Sequence, residues 1–186
     1  MSSTTDTNFD SYVEKDGLIL LRDTWAPPIN GGSYDDVLKF SNCRNVIVSC
    51  LTIPGGREDC IDIVRGENYT LGGLKLQPKK NGVEIKGSVC GWSFDDTEFE
   101  NHGIDYDIRV GMFDNYWKPG RKPTRNGLLR RVRMKDGSKV RVFLWDAEAP
   151  EVVDSNVTLY RIPWVVWFPY FLARFVYVRI LGLKTK

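Results

Sequence analysis

Apolar and polar positions alternate in short runs along the middle of the chain, and the runs recur. Asn45-Val46-Ile47-Val48-Ser49-Cys50-Leu51-Thr52-Ile53 stands 23 residues before Asn68-Tyr69-Thr70-Leu71-Gly72-Gly73-Leu74-Lys75-Leu76, with apolar positions coinciding at 46/69, 48/71, 51/74 and 53/76. The same step reaches Trp92, Phe94, Thr97 and Phe99. Preceding runs align as well: Leu38 and Phe40 with Ile61 and Ile63, then Val83 and Ile85, then Tyr106 and Ile108. Val140 and Val142 return the pattern, and Val157-Thr158-Leu159 echoes Leu51-Thr52-Ile53. A period of two inside each run, with Gly, Asn or Asp between runs, predicts short strands buried on one side. Lys39, Asp62, Glu84, Asp107 and Arg141 fall between apolar positions and are expected to point outward.

Repeats of this length built from short strands predict an all-β parallel solenoid, in which each coil buries its inner face only against its neighbours. A β-sandwich with regular turn spacing is the competing reading. About five coils fit between residues 36 and 160, a rod roughly 24 Å long. Residues 1–35, which contain Leu18-Ile19-Leu20-Leu21, are expected to form an N-terminal arm or cap over one strand edge. Residues 161–186 form a separate hydrophobic, aromatic tail.

The repeat resembles the right-handed parallel β-helix of the pectin-lyase-like superfamily, found in polysaccharide-processing enzymes, bacteriophage tail spikes and other virion proteins. Glu58-Asp59-Cys60-Ile61-Asp62-Ile63 carries the likeness best. The resemblance implies a short right-handed β-helix, and it implies two functional settings. In one, carboxylates on adjacent coils serve a small polysaccharide lyase or hydrolase, with Asp59, Asp62, Glu84 and Arg65 as the candidate catalytic residues. In the other, the fold is a non-catalytic virion component. Asn101-His102-Gly103 resembles the Gly-His-Gly of polygalacturonases, but it lies 43 residues beyond Asp59, nearly two coils away instead of one. The upstream Asn-Thr-Asp motif of those enzymes has no counterpart carboxylate in Ser41-Asn42-Cys43.

Charge changes the picture next. Residues 1–117 carry 11 basic and 19 acidic side chains, net −8, whereas residues 118–186 carry 15 basic and 5 acidic, net +10. Eight cations and no acid occupy 118–135: Lys118, Arg121, Lys122, Arg125, Arg130, Arg131, Arg133 and Lys135. Two prolines and two glycines at 118–127 predict a loop, 115–127, bulging from a coil beside Tyr116 and Trp117. Such a segment suits phosphates, bases or an anionic sugar; the plain alternative is a solvated loop and strand face. Asp95-Asp96-Thr97-Glu98-Phe99-Glu100 reads as a solvated acidic turn. No cofactor or metal is expected, because Cys43, Cys50, Cys60 and Cys90 form no CxxC pair and His102 is the only histidine.

The segment from Pro163 to Leu183 approaches the length of a bilayer-spanning helix, but Arg174, Arg179 and Pro169 make a simple span costly. Its candidate docking residues are Trp164, Trp167, Phe168, Tyr170, Phe171, Arg174, Phe175, Tyr177 and Arg179. Three roles stand open: a membrane anchor, a plug for another subunit, or a cap folded over the last coil. Residues 1–16 are polar and acidic, so no Sec-type signal is read and synthesis in a cytoplasm is expected. The expectation is an oligomeric structural or attachment module, in a virion or at a membrane. Its partners would be other subunits, membrane lipid or polysaccharide, ahead of nucleic acid.

Overall fold

A computed structural model describes residues 13–15, 18–21, 36–111 and 122–175, and side chains are described for 36–111, 122–163 and six positions of the C-terminal helix. The strands are β1 (Val13–Lys15), β2 (Leu18–Leu21), β3 (Leu38–Ser49), β4 (Thr52–Pro54), β5 (Asp59–Gly72), β6 (Lys75–Gln77), β7 (Asn81–Lys86) and β8 (Cys90–Asp95). They continue as β9 (Glu98–Phe99), β10 (Ile108–Val110), β11 (Arg125–Arg130), β12 (Arg133–Met134), β13 (Val140–Leu144), β14 (Glu151–Val153) and β15 (Val157–Arg161). One helix, α1 (Trp164–Phe175), follows.

The fold is mostly β, and its strands pair in parallel except for the β1–β2 hairpin. Three vertical columns carry the interior. In the first, Leu38, Ile61, Val83, Ile108, Val142 and Leu159 stand in register. In the second, Val48, Leu71, Phe94, Leu129 and Val152 do so. The third stacks Ile53, Leu76, Phe99 and Met134 in a separate four-stranded sheet. Almost all of these side chains are fully buried, which is what period-two alternation requires when only the inner face meets apolar neighbours. The exceptions are Val152 and Leu159, each 38% exposed, where two columns reach the last strands.

Two corners recur in every layer. Asn45, Asn68, Gly91 and Asn126 occupy one register position, all at left-handed φ (54°, 61°, 73° and 55°). Asn, Asp and Gly tolerate that region best, so the corner residues noted as turn formers bend each strand at the same place. The Asn68 amide also donates to Asn45 Oδ1 at 2.9 Å, tying one corner to the next. The second corner holds Cys50, Gly73, Asp96, Arg131 and Asp154, again all at positive φ.

Several expectations need correction. After Glu100 the register moves by two: Ile108 and Val110, not Tyr106 and Ile108, face Val83 and Ile85. The segment 101–106 makes that layer 25 residues long, and Tyr106 is buried for a polar reason given below. Val157–Arg161 pairs with Val140–Leu144 and so belongs to the first column, not to that of Thr52–Pro54. The basic loop ends earlier than 127, because β11 starts at Arg125 against Cys90. Gly127 lies inside that strand, where a Cβ would sit 2.2 Å from Trp92 Cζ2. The glycine makes room for the indole; it does not mark a turn. Apart from these corrections, Leu18–Leu21 pairs in parallel with β3 at Ile19–Leu21, so that the β1–β2 hairpin lies along the edge of the large sheet.

Candidate functional site

The charged positions of the first column form a connected ladder. Lys39, Asp62, Glu84 and Arg109 are cross-strand neighbours on β3, β5, β7 and β10. Arg109 takes the place expected for Asp107, a consequence of the two-residue register change. Lys39 Nζ lies 2.9 Å from Asp62 Oδ2 and 2.8 Å from Asp36 Oδ2; Lys86 Nζ lies 3.1 Å from Asp62 Oδ1 and also pairs with Glu84. Arg109 donates through Nε to Glu84 Oε1 at 2.9 Å and stacks 4.1 Å above the Tyr106 ring. The Tyr106 hydroxyl donates to Asp59 Oδ1 at 2.5 Å, which explains the burial of that tyrosine.

These charges were expected to point into solvent, yet Asp59 is 2%, Asp62 0% and Glu84 3% exposed. Burial is affordable only because cations and carboxylates alternate along the ladder. Burial, reinforced by Glu84, pushes Asp59 up to about 8. Burial also raises Asp62, to about 6, against the opposing pull of Lys86. For Glu84 burial acts upward most strongly, but Lys86 and Arg109 together hold it below its ordinary value. Near neutral pH the cluster thus holds a protonated acid beside ionised ones. That is the pairing acid–base chemistry uses, but its carboxyls are closed to a polymer substrate. Arg65, the fourth candidate, is placed elsewhere: it lies at a corner with φ 58°, and its carbonyl accepts the Tyr69 hydroxyl at 2.8 Å.

Asp107 organises a second cluster. It is fully buried; Oδ1 accepts the Gly103 N–H at 2.9 Å, and Oδ2 accepts the Arg141 N–H at 2.7 Å. Against the opposing effect of burial, the Arg141 and His102 hydrogen bonds hold its carboxyl below the ordinary range. His102 Nδ1 lies 2.8 Å from Asp107 Oδ2 and Nε2 lies 3.0 Å from Ser138 Oγ, the outline of a Ser-His-Asp relay. Ser138 Oγ, however, donates to Asp136 Oδ1 at the shorter distance of 2.6 Å. The imidazole thus links Asp107 to Ser138, which precedes the neighbouring strand β13.

The acidic and basic runs, separate in sequence, meet in space. Arg130 pairs with Asp95; Arg131 spans Asp95 (2.7 Å) and Asp96 (2.6 Å); Arg133 reaches Glu98 at 3.1 Å and Lys135 reaches Glu100 at 3.5 Å. Four of the eight cations expected to meet an anionic partner are therefore matched within the fold. Lys122 is exposed and Arg125 half-buried, while Lys118 and Arg121 lie outside the described residues. Among the described residues no group of three His, Cys, Asp or Glu is placed to hold a metal ion.

Helix α1 presents the remaining candidate surface. Val165 and Val166 are each 56% exposed, Leu172 49% and Phe168 41%, and Pro169 and Ala173 are exposed as well. Of the docking residues read from sequence, Trp164, Trp167, Phe168, Tyr170, Phe171, Arg174 and Phe175 lie on this helix. Only the Phe168 side chain is among those described; Tyr177 and Arg179 fall outside the described residues. The helix begins where the Val166 N–H donates to the Pro163 carbonyl at 2.9 Å, and it contains Pro169. No protein-family model, curated protein or solved structure matches the chain.

Proposed function

We propose that the chain is a non-catalytic structural or attachment module of a larger assembly, fixed through its C-terminal end. The observation that carries this reading is the helix α1, whose described side chains are all apolar and all exposed. A protein that works alone rarely leaves such a face uncovered. Support also comes from the charged clusters: the carboxylates closest to an enzymatic pairing are sealed by Lys39, Lys86 and Arg109, and the basic row is matched by acids. The columns and repeated corners fit a short right-handed parallel β-helix of about five coils. The likeness to β-helical virion proteins makes a phage or viral particle the setting we propose, with partner subunits or a membrane at the docking end.

The test is a full-length variant, Val165→Asp/Leu172→Asp, compared with the wild type by sedimentation and by vesicle flotation. The expected result is loss of association with an unchanged thermal transition. An unchanged association state together with a lowered transition would make α1 a part of the folded core and remove the proposal.

A further inference from the structure

We propose that a cleft beside the last strands of the stack binds a small diamino acid, a ligand with two ammonium groups and one carboxylate on an aliphatic stem. The proposal is independent of the docking reading. The cleft lies between the corner after β13, residues 145–149, and the segment 161–163 that leaves β15, with Pro123 at its side. Its volume is about 610 Å³, within the range of small-molecule sites. Both sides are tied down by backbone. The Ile162 N–H donates to the Leu144 carbonyl at 3.0 Å, the Glu148 N–H donates to the Thr124 carbonyl at 3.0 Å, and Thr124 bridges in parallel to Ala147.

Three charged side chains line the cleft, Asp146, Glu148 and Arg161, and the rest of its lining is apolar, including Leu144, Ala147 and Ile162. Among the described residues none of the three takes an ion pair or a side-chain hydrogen bond, whereas Arg130, Arg131 and Arg133 are matched by acids. Burial alone acts on the Asp146 carboxyl, pushing it upward, and no cation opposes it. Asp146 stands at a left-handed φ of 49°, a region Asp enters more readily than most residues, so the turn fixes its place. Thr124, bridged to the next residue, Ala147, is 1% exposed, and its hydroxyl has no hydrogen-bond partner among the described residues. The three lining charges sum to −1, so a plain anion would meet two carboxylates for one guanidinium. A ligand with two cations and one anion answers them charge for charge, while its methylenes lie against the apolar lining.

The experiment is isothermal titration calorimetry of the full chain with lysine, beside cadaverine, 6-aminohexanoate and norleucine, each of which lacks one of its three charged groups. Lysine is expected to bind saturably, and each of the others at least about tenfold more weakly. Asp146→Asn/Glu148→Gln and Arg161→Gln should each lower the affinity for lysine about tenfold with an unchanged urea transition. Arg161→Gln should leave cadaverine binding as it was. No saturable binding of lysine would overturn the proposal and make the three charges solvated surface. Cadaverine bound as tightly as lysine would overturn the ligand class, and lysine bound equally by the wild type and both variants would overturn the site. The ligand series decides on the wild type alone where a variant unfolds.

Discussion

The buried carboxyl ladder leads to a quantitative expectation for Asp59→Asn. Asparagine keeps the oxygen that accepts the Tyr106 hydroxyl, matches the shape of the carboxyl, and cannot ionise. In the wild type the folded-state carboxyl is pushed up to about 8 from an ordinary 3.8, chiefly by burial at 2% exposure. The folded chain therefore keeps a proton that the unfolded chain has already released, so stability falls as pH rises through this window. Each pH unit removes about 1.4 kcal/mol, and some four units separate the two values, giving on the order of 5 kcal/mol. Asp62 titrates in the same range and is electrostatically linked to Asp59, so the difference between the two proteins reports the linked pair. Urea unfolding, followed by far-ultraviolet circular dichroism at intervals between about pH 4 and pH 9, reads it directly. The variant should match the wild type near pH 4, gain steadily on it, and level off above about 8. Parallel curves, or a wild type that gains on the variant with rising pH, would refute the burial argument. The same variant tests the enzymatic alternative, since any polysaccharide-cleaving activity relying on Asp59 would vanish with it.

Gly127→Ala should destabilise by about 2–3 kcal/mol in the same assay, because the new methyl would meet three atoms of the rigid Trp92 ring within 2.8 Å. Replacing Asp95, Asp96 and Glu98 by Asn, Asn and Gln should raise the salt needed to elute the protein from heparin, since Arg130, Arg131 and Arg133 would lose their internal partners. An unchanged elution point would mean that those arginines were available all along. Thiol titration of the native protein should label exposed Cys50 quickly and buried Cys60 only on unfolding, because burial pushes the Cys60 thiol up to about 12. Equal rates at the two positions would contradict the burial of Cys60.

Much of the interior was legible because a 23-residue step superposes side chains of the same size and polarity. Val48, Leu71 and Phe94, and likewise Ile53, Leu76 and Phe99, stand in register as the alternation predicts. The reading failed where the period changed. Tyr106 and Ile108 are both apolar and two apart, so the pattern cannot distinguish a core position from a tyrosine buried by its bond to Asp59. The candidate site was harder to read for a related reason. Charge ordinarily signals solvent, and nothing local in Asp62 or Glu84 tells that Lys39, Lys86 and Arg109 stand across from them. The pairing of 95–100 with 130–135 was hidden by its spacing of 35, which the segment 112–121 imposes on an otherwise shorter repeat. Arg109, flanked by Ile108 and Val110, was the signal in the sequence that the ladder continued onto β10.

The parallel registers close on both sides of that same segment: Phe94 faces Leu129, and Val110 faces Leu144. Among the described residues, the contacts that define the layers are made by residues up to Gly111 and from Lys122 onward. Doubling a connection costs only about 0.6 kcal/mol in closure entropy. Sequence lengthened or exchanged between Gly111 and Lys122, or an epitope inserted there by design, is expected to leave the ladders on either side in alignment.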